Sequence, residues 1–445
     1  MPGAGVGHVP AGPVTGGYPA RMTAPTREPK SDSPQPVAAA SPQVSEALVP
    51  PVTLMSNPVR DYDWGSPSIL AALQGREPHG GPEAELWMGG HPSSPSGLLT
   101  GPDEVPLPDV VAAAPAAMVG DAVLGRFGAR LPFMLKVLAV ARPLSLQVHP
   151  DAARALKIYD PEGGTPYVDQ YPKPELVVAV DEMEALFGFR PAAEAAGLLR
   201  GFGTPQASAL AGDLTASLAA GESDERALHA AFTRLVRWPA DEVPELVAAA
   251  VAAAGPGAGS PAERDARRWV AELARLHPRD PLVLAPLLLG LIRLAPGEAA
   301  FVPAGLPHAY LSGCSVEVLA ASDNIVRAGL TSKAVDVPEL LEIVDCRPSP
   351  QPRTEPVELG GGEIAWQPPV ADFRLTRLAV AGEVTAADLG GPQIVLCLRG
   401  SVTVRAGGAQ VALTGGTSAF VAASAGPVTL AGAGEVYRAA PGLGY

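Results

Sequence analysis

Apolar and polar residues alternate along the segment PLSLQVHPD, residues 143 to 151. Aliphatic residues occupy every second position, and the polar residues Ser145, Gln147 and His149 stand between them. Successive side chains of a β-strand point to opposite faces of the sheet. The alternation therefore predicts a strand with one packed apolar face and one polar face, on which a glutamine and a histidine lie two residues apart.

Short apolar runs separated by Gly and Pro extend this β pattern over residues 54–190. The runs LPFMLKVLAV (131–140) and PELVVAV (174–180) are typical of strands. We therefore predict that this region is mostly β.

Beyond this region the apolar residues recur with helical spacing, as Leu228 and Phe232 illustrate. A further helix is predicted to begin at Ser260, which serves as the N-cap. Pro261 takes the first helical position and Glu263 completes a capping box. These helices separate two β-rich parts of the chain.

The β pattern returns in GEAAFVPAGLPHAYLSG (297–313), and the Pro-rich stretch near 350–356 is predicted to be a linker. The residues after it are predicted to form short Gly-rich strands. GTSAFVAASAGPVT (416–429) aligns without a gap with the segment that starts at residue 297, but Pro427 replaces His308. This similarity between the two segments predicts two related β-barrel units. The helices are expected to be inserted into the first unit, which alone is expected to keep the catalytic site.

The overall composition narrows the possible functions. A chain of 445 residues suffices for two or three domains. The net charge of −14 argues against nucleic-acid and anionic-membrane partners, which require a basic face, although a small anionic substrate stays compatible with a basic pocket. No apolar run approaches the roughly 20 residues of a membrane helix. The three cysteines are far apart and are expected to be free thiols in a reducing compartment. A cytoplasmic protein with a disordered tail at residues 1–50 is therefore expected.

Four residues offer donor atoms for a metal ion. Imidazole is the commonest ligand for zinc and related metals, and an amide oxygen is an acceptable second donor, so Gln147 and His149 qualify. Glu175 stands two residues after Lys173 in KPELVV, and His308 lies in PAGLPHAY. This N/O set with one negative charge suits a catalytic divalent metal that keeps one position open.

Lysine is scarce in this chain, because only 5 of its 32 basic residues are lysine. A lysine is therefore expected where a compact ammonium is required in place of a planar guanidinium. Lys136 stands inside the apolar run FMLKVLAV, where a purely structural lysine is unfavourable.

Several motifs resemble those of one enzyme family. They are ELWMGGHPSSPS (85–96), PFMLKVLAVARPLSLQVHPD (132–151), KPELVVAV (173–180), FVPAGLPHAYLSG (301–313) and SDNIVRAGLTSK (322–333). Together they closely resemble the type I mannose-6-phosphate isomerases over residues 54–345. The resemblance implies a zinc-dependent cupin enzyme with one Zn²⁺ per chain that interconverts mannose 6-phosphate and fructose 6-phosphate. It also implies a monomer or weak homo-oligomer whose partner is a hexose 6-phosphate, with no nucleic acid or membrane.

The resemblance assigns roles to individual residues of this chain. The implied zinc ligands are Gln147, His149, Glu175 and His308, the four already chosen from their chemistry. The implied catalytic residues are Arg327, Lys173 and Asp323. The implied substrate-binding residues are Ser145, Lys136, Lys333, Glu317 and Tyr310.

The combined expectation is a mainly β fold with two cupin-type, jelly-roll barrels and a helical domain inserted in the first barrel. The predicted divisions are a disordered tail (1–50), a catalytic cupin domain in two parts (51–190 and 291–349), a helical insertion (191–290) and a C-terminal cupin-like β domain without a metal site (350–445).

One position departs from the family pattern. The family reads His-Lys-Pro-Glu where this chain has Pro172 before Lys173, and that histidine is one of the residues proposed for proton transfer. Either Asp323, Lys173 or a water on the metal replaces it, or the activity is reduced or altered. Two other classes therefore stay open: another metal-dependent cupin enzyme, such as an iron dioxygenase, and a non-catalytic sugar-phosphate-binding protein.

Overall fold

The β-rich regions form two 10-stranded sheets in the computed structural model, which describes residues 50–255, 259–349 and 352–444. Apart from Pro50, the tail predicted at residues 1–50 lies outside the described residues. The protein is mainly β with a run of helices between the strands β9 and β10 defined below.

The strands that precede this run are β1 (Val52–Ser56), β2 (Val59–Arg60), β3 (Glu85–Gly89), β4 (Gly97–Thr100), β5 (Asp103–Pro106), β6 (Phe133–Val140), β7 (Leu146–Val148), β8 (Glu175–Ala179) and β9 (Met183–Phe189). The strands that follow are β10 (Leu289–Leu294), β11 (Ala299–Val302), β12 (His308–Ala320), β13 (Val326–Gly329), β14 (Val357–Gly360), β15 (Glu363–Trp366), β16 (Arg374–Thr385), β17 (Gln393–Ala406), β18 (Ala409–Thr414), β19 (Thr417–Val421) and β20 (Thr429–Ala440).

The helices are α1 (Ile69–Leu73), α2 (Leu107–Ala113), α3 (Pro115–Phe127), α4 (Ala152–Ile158), α5 (Ala192–Phe202), α6 (Pro205–Ala219), α7 (Asp224–Val236), α8 (Val243–Ala253), α9 (Pro261–Leu276), α10 (Ala285–Leu288) and α11 (Val337–Ile343). Within the described ranges no single helix is long and apolar enough to cross a bilayer. Only the bent pair α2 and α3 meets that criterion of length and composition jointly.

The long strand β12 organises the first sheet. It pairs with β7 and β9 near its beginning and with β6 and β8 further along. The partners change near Gly313, whose φ is +109°, and a Cβ there would lie 2.6 Å from the carbonyl oxygen of Glu182. Glycine alone fits this bulge, which lets one strand hold the two parts of the sheet together.

The predicted helical pattern is confirmed between α5 and α10. Leu228 and Phe232 on α7 are fully buried in the core of this region. Ser260 Oγ accepts from the backbone N–H of Glu263 at 3.2 Å, and a Glu263 carboxylate oxygen accepts from the backbone N–H of Ser260 at 2.6 Å. The capping box therefore fixes the start of α9, as predicted.

The second sheet runs β14-β15-β16-β20-β17-β19-β1-β4-β5, with β18 beside β17. Its strands β1, β4 and β5 come from the first part of the described chain, and Val52 pairs with Val421. The second sheet therefore combines three strands from the beginning of the described chain with the C-terminal strands.

The prediction of short strands in the C-terminal region was wrong for β16, β17 and β20, which contain 12, 14 and 12 residues. Gly400 and Gly432 lie inside these strands and not in turns. A Cβ at Gly432 would lie 2.4 Å from the carbonyl oxygen of Ser401, and one at Gly400 would lie 2.3 Å from that of Ala433. The glycines mark a close approach of neighbouring backbones.

The Pro-rich stretch predicted to be a linker is paired with β11 where it is described. The backbone N–H of Phe301 donates to the carbonyl of Pro352, and that of Thr354 donates to the carbonyl of Ala299, both at 2.9 Å. The three cysteines are buried free thiols, as the sequence predicts.

Candidate metal centre and substrate cavity

A first row of functional groups crosses three strands of the first sheet. Trp87 on β3 lies opposite Lys136 on β6, and Lys136 lies opposite Glu317 on β12. Residues that pair across antiparallel strands share one face of the sheet. The register therefore places a cation beside a carboxylate and an aromatic ring.

A second row lies on β12, β7 and β13. Gln147 is the partner of both His308 and Arg327. The predicted alternation along β7 is confirmed, because Leu146 and Val148 are fully buried in the apolar core while Gln147 faces a cavity. One residue of shift would reverse both faces, so the apolar neighbours hold Gln147 in place.

His149, Glu175 and His308 form a buried cluster that fits a metal ion. One ligand atom of each lies within 4.8 Å of the others. The Nε2 atom of His149 is 3.3 Å from Oε1 of Glu175, and the Nε2 atom of His308 is 3.5 Å from Oε2. Nε2 of His149 and Oε2 of Glu175 are buried without a hydrogen-bond partner, an unfavourable state that a cation would relieve.

The orientation of both imidazole rings supports this interpretation. Nδ1 of His149 is 3.0 Å from the carbonyl oxygen of Asn324, and Nδ1 of His308 is 3.0 Å from that of Leu306. A carbonyl accepts only, so each Nδ1 carries the proton and each Nε2 presents a lone pair to the Glu175 carboxylate. Burial lowers the pKa of His149 to about 4, which keeps it neutral. Two lone pairs that face a carboxylate form an arrangement that could hold a metal cation between them.

Gln147 and Lys173 flank this cluster. The Gln147 amide nitrogen lies 3.4 Å from Nε2 of His308, and Nζ of Lys173 donates to Oε1 of Glu175 at 2.5 Å. Burial alone would raise the pKa of Glu175, but the charge of Lys173 and the contacts with the two histidines hold it well below its ordinary value. Glu175 is therefore ionised and could act as a metal ligand.

Lys136 lies among acidic groups. Its Nζ is 3.3 Å from Oε2 of Glu85 and 4.7 Å from the centre of the Trp87 ring. Burial alone would lower the pKa of Lys136, but the charges of Glu85, Glu317 and Glu175 outweigh burial and raise it. Lys136 is thus a buried permanent cation.

Tyr310 and Glu317 contribute groups that can retain a proton. The hydroxyl of Tyr310 donates to Oε1 of Glu317 at 2.9 Å. Burial, reinforced by the charge of Glu175, raises the pKa of Glu317 to about 7. Burial also raises the pKa of Tyr310 well above its ordinary value, so its hydroxyl stays protonated.

All these groups meet at one cavity of about 680 Å³, a size suited to a small polar ligand. Ten of the predicted site residues line it: Lys136, Ser145, Gln147, Lys173, Glu175, Tyr310, Glu317, Asp323, Arg327 and Lys333. The remaining two, His149 and His308, are fully buried against Glu175. Three of the five lysines of the chain therefore converge here.

Several residues at or beside this cavity were not among the predicted site residues, and Glu85, Trp87, Arg142 and His91 are examples. Glu85 and Trp87 alternate along β3, so the reasoning applied to β7 was sufficient to find them. No local pattern reveals His91, whose partner Asp323 is remote in sequence.

A strained turn lies at the edge of the cavity. Leu330 is the only non-glycine residue in the described ranges with a positive φ, 56°. Its backbone N–H donates to Oδ2 of Asp280 at 2.5 Å. Asp280, from the end of the helical run, thereby holds the turn that leads to Lys333.

The chain matches two family descriptions. "Phosphomannose isomerase type I, catalytic domain" matches residues 52–192, and "Mannose-6-phosphate isomerase, cupin domain" matches residues 364–441. The mannose-6-phosphate isomerase of Escherichia coli K12 is 37% identical over 378 residues, which cover 81% of this chain and 92% of that protein.

Solved structures agree with these matches. A variant of phosphomannose isomerase from Salmonella typhimurium superimposes with a TM-score of 0.80 at 34% identity, covering 88% of this chain and 100% of that one. A mannose 6-phosphate isomerase bound with zinc and yttrium superimposes with a TM-score of 0.78 at 33% identity and the same coverage.

Proposed function

Because the chain belongs to the type I phosphomannose isomerase family, we propose that it is an aldose-ketose isomerase that interconverts mannose 6-phosphate and fructose 6-phosphate. One observation carries this proposal: a single cavity joins the buried His149, Glu175 and His308 cluster to the cations Lys136, Lys173, Arg327 and Lys333. A metal-dependent oxygenase does not require so many cations in its cavity. An enzyme that binds a phosphorylated sugar does, because the phosphate is an anion.

The proposal includes one zinc ion per chain, held by Gln147, His149, Glu175 and His308. The inward lone pairs of both histidines and the ionised state of Glu175 support this set of donors. Zinc bound there would supply positive charge beside the sugar oxygens.

We propose that Asp323, Lys173 and Arg327 are the catalytic residues. Isomerisation moves one proton from C2 to C1 through an enediolate. Asp323 would take the proton from C2 while the electron pair of that bond moves toward C1 and the carbonyl oxygen O1 becomes negative. Asp323 would then deliver the same proton to C1, while the proton of the C2 hydroxyl passes to O1 and C2 becomes the carbonyl carbon. Lys173 and Arg327 would stabilise the negative oxygen.

The remaining cavity residues would bind the substrate. The hydroxyls of Ser145 and Tyr310, the carboxyl of Glu317 and the buried ammonium of Lys136 suit a sugar ring with several hydroxyl groups. Lys333 is exposed at the cavity, where it would bind the phosphate while the phosphate keeps part of its hydration.

For the architecture, we propose two cupin-type barrels, of which the first contains the helical insertion and the metal site. The two echoing segments support this division, because each forms a short strand followed by a long one, β11 with β12 and β19 with β20. The proposed unit with the site comprises 51–190 and 291–349, and the second comprises 350–445. A monomer or weak homo-oligomer is proposed.

A coupled assay for fructose 6-phosphate formed from mannose 6-phosphate tests this function. We expect turnover that a chelator abolishes and that added zinc restores. Tight mannose 6-phosphate binding without conversion would instead indicate a binding protein. Iron-dependent oxygen consumption without isomerisation would indicate another cupin enzyme. Either result contradicts the proposal.

A further inference from the structure

His91 is a buried histidine that the reaction described above does not use. It follows β3 and contacts the ring of Trp87, with 4.9 Å between the ring centres. Its Nε2 atom is 2.7 Å from Oδ2 of Asp323. The imidazole therefore lies behind a carboxylate that lines the substrate cavity.

The hydrogen bonds of His91 define which nitrogen carries the proton. The backbone N–H of Ser93 donates to Nδ1 of His91 at 3.2 Å, and Oγ of Ser93 lies 2.9 Å from the same atom. A backbone N–H can only donate, so Nδ1 accepts and the proton of the neutral ring is on Nε2. His91 thus donates a hydrogen bond to Asp323.

Asp323 is also fixed from the opposite side. Its backbone N–H donates to Oδ2 of Asp169 at 3.0 Å. The other carboxylate oxygen of Asp169 accepts from Oγ of Ser322 at 2.9 Å and from the amide of Asn324 at 3.1 Å. The main chain of Asp323 is held by Asp169, while its side chain is held by His91.

The charged groups near Asp323 favour its ionised form. Burial alone would raise the pKa of Asp323, but the hydrogen bond from His91 and the charges of Lys173 and Lys136 lower it. Asp169, whose carboxylate accepts a hydrogen bond from the backbone N–H of Asp323, is an acidic group beside Asp323. The side chain of Asp323 is 44% exposed, so a substrate in the cavity can reach it.

We propose that His91 is a positioning residue for the isomerase reaction, which holds the Asp323 carboxylate so that its free oxygen faces the sugar carbons. The inference rests on the proposed function. The proton from C2 binds the free oxygen of Asp323 and leaves it for C1, and His91 keeps its Nε2 proton throughout. The hydrogen bond thus orients the base and is not consumed by the reaction.

His91→Phe tests this role, because it retains a ring beside Trp87 and removes the donor. We expect kcat to fall about 10- to 100-fold, less than the full value of general acid-base catalysis, with a nearly unchanged KM and zinc content. The acidic limb of the pH–rate profile should move to higher pH, because the pKa of Asp323 rises without its donor. His91→Gln offers an amide N–H near the position of Nε2 and should recover part of both effects.

His79 provides a matched control. Its Nε2 lies 3.1 Å from a carboxylate oxygen of Glu83 in a second histidine–carboxylate pair, and His79 does not line the cavity. His79→Phe should keep the native kcat and pH profile. A fall in kcat for His79→Phe equal to that of His91→Phe would indicate a general effect of losing such a pair and would overturn the proposal.

A double-variant cycle completes the test. If His91 acts through Asp323, adding His91→Phe to Asp323→Asn lowers kcat no further. Multiplied losses in the double variant, or a native kcat and pH profile in His91→Phe, would overturn the positioning role even though the native protein converts its substrate. A native protein without any isomerase activity would instead overturn the proposed function itself.

Discussion

Each of the two sheets contains a cluster of buried charge, and the two clusters differ in how completely their polar atoms are paired. In the second sheet all three guanidinium nitrogens of the fully buried Arg438 have partners: Glu363 at 2.6 Å, Gln393 at 2.7 and 3.2 Å, and the carbonyl of Ala387 at 2.9 Å. Glu363 in turn accepts from Thr376 and from the backbone N–H of Ala387. This cluster is complete within the protein.

The cluster of His149, Glu175 and His308 in the first sheet is not complete. A buried nitrogen and a buried oxygen have no partner, and two imidazole lone pairs face a carboxylate. The contrast shows that burial of charge alone does not identify a functional site. The candidate site differs from the network around Arg438 because its unpaired atoms, Nε2 of His149 and Oε2 of Glu175, lie with a second imidazole in one cluster that could hold a metal ion.

The largest expected effect follows from removing a ligand of the incomplete cluster. His308→Ala or Glu175→Gln should lose bound zinc and more than about 100-fold in turnover, because even supporting groups around metal ligands are worth about 10- to 100-fold. Metal analysis and the coupled assay measure both. Glu363→Gln in the complete cluster is the control and should keep its zinc and its turnover per folded molecule. Full activity with stoichiometric zinc in both ligand variants would contradict the proposed difference between the two clusters.

In the complete cluster the effect should appear in stability. Arg438→Met leaves the Glu363 carboxylate buried without its cation, so the free energy of unfolding should fall by about 3 to 5 kcal/mol. Urea denaturation measures this change. Glu363→Met combined with Arg438→Met should recover part of the loss, because no unpaired charge remains. A double variant less stable than Arg438→Met would contradict the proposed origin of the loss.

Zinc should stabilise the protein through the first cluster only. A ligand at 100 times its dissociation constant adds about 2.7 kcal/mol to the stability of the state that binds it. Zinc should therefore raise the melting temperature of the native chain and of Arg438→Met, but not that of His308→Ala. An equal rise in all three proteins would indicate zinc binding elsewhere.

The smallest effect is expected from deleting the N-terminal tail, whose sequence contains none of the residues named in the two clusters. Deleting residues 1–50 should change the activity and the melting temperature very little, because its composition offers no apolar pattern to pack on a core. Deletion through Ser56 is the contrasting variant. It removes β1, which pairs with β19 and β4, and should destabilise the protein strongly. A large loss of stability from the shorter deletion would show that the tail is structural.

Local patterns predicted much of the site because its residues lie on regular strands. The period of two along β7 revealed Gln147 and the packing behind it, and the same period on β3 would have revealed Trp87. The contact between His91 and Asp323 escaped prediction because it joins two remote segments through tertiary packing. The pairing of β1 with β19 escaped for the same reason, because many strands share its local pattern.

Sequence patterns also did not predict the paired network around Arg438. In the sequence, one arginine and one glutamate among alternating residues look like ordinary surface residues. The pairing of β15 with β16 and of β16 with β20 brings Glu363 and Arg438 together and buries them. Sequence therefore indicates which side chains can carry the chemistry, whereas only the structure shows which of their atoms stay unpaired.

Titration of the metal-free native protein with zinc tests the central claim most directly. Bound zinc and the rate of fructose 6-phosphate formation are measured in the same samples. If the unpaired atoms of His149, Glu175 and His308 form the catalytic metal site, turnover rises from background in proportion to bound zinc and reaches its plateau at one ion per chain. Full turnover of the metal-free protein, or one bound zinc per chain without any turnover, would contradict that claim.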